Sequence, residues 1–138
     1  MAVRGGCLCG AVRYEVAGDL GDADHCHCSM CRRQHGAAFS TYADVEPGDF
    51  RWISGEDRVK RYETPSGAGW AFCSECGSTL AGSDGGTITS IALGTVDGDP
   101  GVRPSAHIFV GSRAQWHEIH DDLPQFETRA PGSRPPSG

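Results

Sequence analysis

No stretch of the sequence approaches the roughly 20 apolar residues that a membrane-spanning helix needs. The opening residues Met1-Ala2-Val3-Arg4-Gly5-Gly6 contain no apolar segment of the kind that directs secretion. The expected location is therefore the cytoplasm, with no membrane partner. Lysine is almost missing: Lys60 stands beside eleven scattered arginines, and the net charge is −6. That balance argues against a binder of the phosphate backbone, which needs a basic stripe to release counterions, so no nucleic-acid partner is expected. Hydrophobic residues are scarce too, at 38% of 138, against 20 glycines and 8 prolines. Long amphipathic helices and internal repeats are absent. A single domain of this length buries a real core, but a loop-rich one gains from a bound metal, whose binding free energy adds to folding.

What is present is a series of short strand-like runs. Ala11-Val12-Arg13-Tyr14-Glu15-Val16 alternates apolar and polar, as a half-buried strand does. Similar runs lie at Phe39–Val45, Phe50–Ile53, Arg58–Glu63, Trp70–Phe72, Thr87–Leu93 and Ala106–Val110. Glu46-Pro47-Gly48-Asp49 and Gly82-Ser83-Asp84-Gly85-Gly86 read as the punctuation between them. One short helix is expected, about Ser29 to His35. The class is all-β, built of short antiparallel strands with that one helix. The folded domain is expected to occupy residues 1–127. Residues 128–138, with three prolines and two glycines in the last eight, read as a disordered tail.

Seven cysteines in a reducing compartment are poor disulfide formers, and seven is odd. They fall into Cys7-Leu8-Cys9, Cys26-His27-Cys28-Ser29-Met30-Cys31 and Cys73-Ser74-Glu75-Cys76-Gly77. Zinc takes thiolates tetrahedrally, and a pair two or three residues apart in a turn spans two corners. Joining Cys7 and Cys9 to Cys73 and Cys76 uses the two isolated pairs and leaves the central triplet whole. The competing partition, Cys7 and Cys9 with Cys28 and Cys31, strands Cys26 from Cys73 and Cys76. In the first partition, four thiolates make a closed structural site, whereas Cys26, Cys28 and Cys31 leave one zinc position open for chemistry. His35, four residues after Cys31, is a possible fourth ligand that would close it. His25 and His27 are further candidates, although His27 is expected to face away, because side chains alternate along an extended C-x-C.

Three thiolates weaken zinc as a Lewis acid but suit it to capturing a thiol as its thiolate. Thiol chemistry is therefore favoured over hydrolysis. The zinc deaminase signature is absent, and His117-Glu118-Ile119-His120 lacks the spacing of a metalloprotease helix.

With these residues assembled, the chain resembles the glutathione-dependent formaldehyde-activating family, which includes centromere protein V. The resemblance runs through Gly6-Cys7-Leu8-Cys9-Gly10-Ala11-Val12-Arg13-Tyr14, the central cysteine segment with Arg32 and Arg33, and Phe72-Cys73-Ser74-Glu75-Cys76-Gly77-Ser78. It continues through Ile91-Ala92-Leu93-Gly94, Arg103-Pro104-Ser105-Ala106-His107-Ile108 and Asp121-Asp122-Leu123-Pro124. It implies a β-tent fold with two zincs per chain, a structural one on Cys7, Cys9, Cys73 and Cys76 and an active-site one on Cys26, Cys28 and Cys31. It also implies a carbon–sulfur lyase that makes or breaks S-hydroxymethylglutathione from glutathione and formaldehyde. The alternative is a non-catalytic zinc-binding interaction module.

Arg32 and Arg33 are candidates for pairing with carboxylates of a glutathione-like thiol. His107 is a candidate acid or base, with a structural histidine as the competing reading. Trp52, Trp70 and Trp116 read as packing residues, and Asp121 and Asp122 as turn residues. No general base is assigned. The expected partner is a small thiol or thiol adduct, and the oligomeric state is left open, a homodimer included.

Overall fold

The alternating segment behaves as its pattern demands: Val12, Tyr14 and Val16 are fully buried, while Arg13 and Glu15 between them stay partly exposed. In the computed structural model, which describes residues 2–132, it contributes β2 (Arg13–Val16). This strand pairs antiparallel with β1 (Val3–Gly6) and β5 (Phe50–Ser54) in a three-stranded sheet.

The second sheet has seven strands. They are β3 (Ala23–Cys26), β4 (Ser40–Asp44), β6 (Val59–Glu63), β7 (Ala68–Cys73), β8 (Thr79–Asp84), β9 (Thr87–Ala92) and β10 (His107–Ile108). Their order is β10-β3-β4-β9-β8-β7-β6. Ala43, Ile91, Ala81 and Ala71 are successive register partners across four of these strands, and all four are fully buried. This row of mostly small side chains belongs to one core cluster with Tyr14 and Val16 of the smaller sheet. The Tyr14 hydroxyl links the layers through a 2.7 Å hydrogen bond to Thr95 Oγ1. Leu80 and Ile91 are the fully buried leucine and isoleucine among the described residues. At about 1.5–3 kcal/mol per such side chain, the apolar core is thin for a chain of this length.

The helix α1 (Ser29–His35) starts and stops on local chemistry. Cys28 caps it by accepting the Cys31 backbone N–H on its sulfur, and Gly36 ends it in the left-handed region with its N–H on the Arg32 carbonyl. It buries none of its residues.

Several elements differ from the sequence expectation. β1, β3 and β8 had no clear strand signal, and Cys7-Leu8-Cys9 lies in the loop between β1 and β2. β8 runs through Gly82-Ser83-Asp84, so only Gly85 and Gly86, both at positive φ, form the turn to β9. β10 pairs with β3 in parallel, and an isolated parallel bridge joins His107 to Gln125, whereas the other strand pairs described are antiparallel. Of the expected tail, residues 133–138 lie outside the described residues. The Thr128 carbonyl accepts the Phe109 N–H at 2.8 Å, and the Arg129 guanidinium lies over the Phe109 ring. Among the described residues no helix is long and apolar enough to cross a membrane.

Candidate metal centres and active-site cavity

Two turns of similar design carry the first cysteine group. In Cys7-Leu8-Cys9-Gly10 and Cys73-Ser74-Glu75-Cys76-Gly77, the closing glycine adopts positive φ and returns its N–H to the first cysteine's carbonyl. Only glycine takes that conformation without strain. Leu8 N–H donates to Ser78 Oγ across the two turns at 2.9 Å. The sulfurs of Cys7, Cys9, Cys73 and Cys76 lie within 4.8 Å of one another. Cys7 and Cys9 are 3.6 Å apart, and Cys9 and Cys73 3.9 Å. A tetrahedron with metal–sulfur bonds of about 2.3 Å has edges of about 3.8 Å, so the donor set fits a zinc-sized ion. Backbone N–H groups of Val12 and Glu75 point at the Cys7 and Cys73 sulfurs, as thiolates require. The Ser78 hydroxyl holds the Cys76 thiol down to about 5. One turn belongs to each sheet, so a metal here clips the two sheets together.

Cys26, Cys28 and Cys31 form the second group, again with sulfurs within 4.8 Å of one another. Cys26 ends β3, Cys28 caps α1 and Cys31 lies one turn along it. Hydrogen bonds from Cys26 and Cys31 hold the Cys28 thiol down to about 2, while its neighbours push Cys26 upward. Cys31 is pushed up as well, to about 12, so without a metal the group favours a single thiolate, on Cys28. No histidine or carboxylate among the described residues joins it as a fourth donor. His35 Nε2 instead shares a 2.9 Å hydrogen bond with the Tyr42 hydroxyl.

The second group borders a cavity of about 220 Å³ on one face of the large sheet, lined by Cys26 and Cys31 at one end. Strand register explains the lining. Cys26 pairs with Ser40 and Asp24 with Tyr42, so alternate residues of β3 and β4 put these four side chains on one face, with Asp44 further along. β8 supplies two consecutive residues, Gly82 and Ser83, because the β8–β9 register slips between them. A side chain at Gly82 would meet Ser90 Oγ at 2.5 Å and the Tyr42 ring at 3.6 Å, so glycine keeps this part of the floor open. Burial, with Asp44 and Asp22 nearby, pushes the Asp24 carboxyl up to about 6.

The other face of β3 carries histidines. His27, between two cysteines, is fully buried, and its Nε2 lies 2.8 Å from His107 Nδ1. His107 is 2% exposed, and its Nε2–H donates to the Asp121 carboxylate at 2.9 Å. With both rings neutral, that carboxylate dictates the tautomer of His107 and, through it, of His27. Burial holds His27 down to about 4, and its Nδ1 is left buried without a partner. His107 therefore sits opposite the cavity, where it steadies the loop bearing Cys26 and Cys28. His107→Ala should cost about 2 kcal/mol in a denaturant melt, because it orphans His27 Nε2. Asp121→Asn should cost less than His107→Ala, since water reaches the half-exposed carboxylate.

The other sequence candidates lie apart from the cavity. Arg32 donates from Nε to the Ser112 carbonyl at 3.1 Å, and Arg33 is exposed on α1. Among the described residues, the basic one that does line the cavity is Arg129. Asp24, Tyr42 and Asp44 escaped sequence reasoning as well. The alternation of Tyr42 and Asp44 within the Phe39–Val45 run was the available signal, but it did not say which face would be open.

The family model described as glutathione-dependent formaldehyde-activating enzyme matches residues 2–112. An uncharacterized lyase of Schizosaccharomyces pombe is 29% identical over 77 residues, which is 56% of this chain and 54% of the relative, so the match spans about half of that protein. A crystal structure of a Rhodobacter sphaeroides protein superposes with a TM-score of 0.58 at 26% identity, covering 70% of this chain and 89% of that one.

Proposed function

The chain belongs to the glutathione-dependent formaldehyde-activating family, and from that premise we propose that it is a zinc-dependent carbon–sulfur lyase acting on the adduct of a small thiol and formaldehyde. Two zincs per chain are proposed, a structural one on Cys7, Cys9, Cys73 and Cys76 and an active-site one on Cys26, Cys28 and Cys31. The observation that carries the reading is an asymmetry: the cavity is lined by Cys26 and Cys31 and by none of the other group.

Zinc on three thiolates supplies, when bound, an open position that takes a thiol as its thiolate. The residues around it do the rest. In the lyase direction the adduct's carbon–sulfur bond breaks with its electron pair going to sulfur. The hydroxyl oxygen becomes the carbonyl of formaldehyde and releases its proton. Tyr42, on the cavity wall and hydrogen-bonded to His35 Nε2, is placed to accept that proton's hydrogen bond, with His35 behind it. Burial lowers the proton affinity of His35, which favours its neutral, accepting form. Trp70 on the wall and Ser40 beside Cys26 exclude bulk water from the reacting end.

The test is direct. Full-length protein is assayed for zinc by mass spectrometry and for thiol–formaldehyde exchange by proton NMR. About two zincs per chain and exchange well above the spontaneous rate support the lyase. Two zincs with no exchange for any small thiol would make the protein a zinc-bearing interaction module instead.

A further inference from the structure

The cavity is small, and among the described residues its charged lining is Asp24, Asp44 and Arg129, two carboxylates against one guanidinium. Three thiolates on a divalent zinc at the cavity's end would add another formal negative charge. The volume, about 220 Å³, is below the roughly 300–1,000 Å³ of pockets that enclose drug-sized ligands. The wall also holds polar groups awaiting a partner. Ser40 and Ser83 are 4% and 7% exposed, and both hydroxyl oxygens are buried without a hydrogen bond. Buried hydroxyls are normally satisfied, so these two mark a place where a polar ligand, or water in its absence, completes the wall.

Distance adds a constraint. Asp24 is two residues from Cys26 on the same face of β3, a Cα separation of about 7 Å at strand rise. A thiol sulfur held beside Cys26 therefore places a group two or three bonds away within reach of the Asp24 carboxylate. A tripeptide thiol with two carboxylates brings net negative charge into a cavity that already has it. A short thiol ending in an ammonium has the complementary charge and the right length.

We infer that the substrate thiol of this protein is a small aminothiol, its ammonium held by Asp24 and Asp44, its sulfur at the Cys26, Cys28 and Cys31 cluster and its polar atoms by the Ser40 and Ser83 hydroxyls. The inference rests on the lyase reading above and narrows it to a substrate class.

The experiment compares three thiols on the zinc-loaded full chain, by calorimetric binding and by NMR exchange with formaldehyde. Cysteamine is cationic, 3-mercaptopropionate is anionic and of similar size, and glutathione is larger and anionic. Cysteamine is expected to bind about tenfold or more tightly than either anionic thiol. That preference should shrink as salt rises, because a charge-based preference is screened. Asp24→Asn and Asp44→Asn should each weaken cysteamine several-fold while leaving 3-mercaptopropionate unchanged or improved, which also shows that the variant site is folded. Should a variant fail to fold, the wild-type charge preference and its salt dependence decide alone. Equal binding of cysteamine and 3-mercaptopropionate, or tighter binding of glutathione, overturns the aminothiol assignment and leaves the lyase reading standing. Failure of all three thiols to bind or exchange overturns both.

Discussion

Replacing Cys73 with serine is expected to unfold the protein. Cys73 is fully buried at the end of β7, and its sulfur completes the group that joins the β1–β2 loop to the β7–β8 turn. The serine hydroxyl is a poor zinc ligand, since zinc sites of this kind are built on thiolates. A structural zinc contributes on the order of 10 kcal/mol to folding, comparable with the whole stability of an ordinary domain, about 5–15 kcal/mol. With so few large aliphatic side chains in the core, little remains to offset the loss. The far-ultraviolet circular dichroism signal should lose its cooperative thermal transition, and a strong chelator should do the same to the wild type. A Cys73→Ser protein that still melts cooperatively within a few degrees of wild type would remove the structural role from this site.

The triple replacement Cys26/Cys28/Cys31→Ser is expected to do the opposite: spare the fold and abolish the chemistry. These cysteines are partly exposed, and the helix they adjoin buries none of its residues. β3 remains anchored by β4 and β10, and His27 by His107. Zinc content should fall by about one per chain, the melting temperature should shift by only a few degrees, and thiol–formaldehyde exchange should drop to the uncatalysed background. A fall of about a thousandfold or more is the scale lost when a catalytic metal's binding group is removed. If the triple variant instead unfolds as Cys73→Ser does, the second cluster is structural, and the cavity beside it loses its claim to be an active site.

Much of this arrangement was legible in the residues. The short helix was expected from Ser29 to His35 and occupies Ser29–His35. Its bounds are set locally, by the Cys28 cap at its start and Gly36 at its end. The partition of the cysteines into four and three followed from spacing, and the structure brings together those same two sets of sulfurs. β3 and β8 were harder to see. Ala23-Asp24-His25-Cys26 has no apolar alternation because one face is a polar cavity and the other holds histidine, so both faces carry polar side chains. Thr79–Asp84 has glycine and serine where the cavity floor needs room, and those are also the residues of a loop. His107 drew notice as a polar residue within an apolar strand. Its partners, Asp121 and His27, lie 14 and 80 residues away, a relation that no local pattern encodes.

What the sequence determined by itself is the donor inventory: seven cysteines in an isolated C-x-C pair, an isolated C-x-x-C pair and a central triplet. These properties follow from spacing and residue type along the chain. The tertiary structure decided which cluster borders a cavity and what else lines it. Asp24, Tyr42, Asp44, Ser83 and Arg129 meet there because strand pairing sets the register, a slip between Gly82 and Ser83 turns two neighbours to one face, and the segment after residue 127 returns to the sheet. Each of those depends on partners far away in the chain, so the shape and lining of the cavity exist only in the folded molecule.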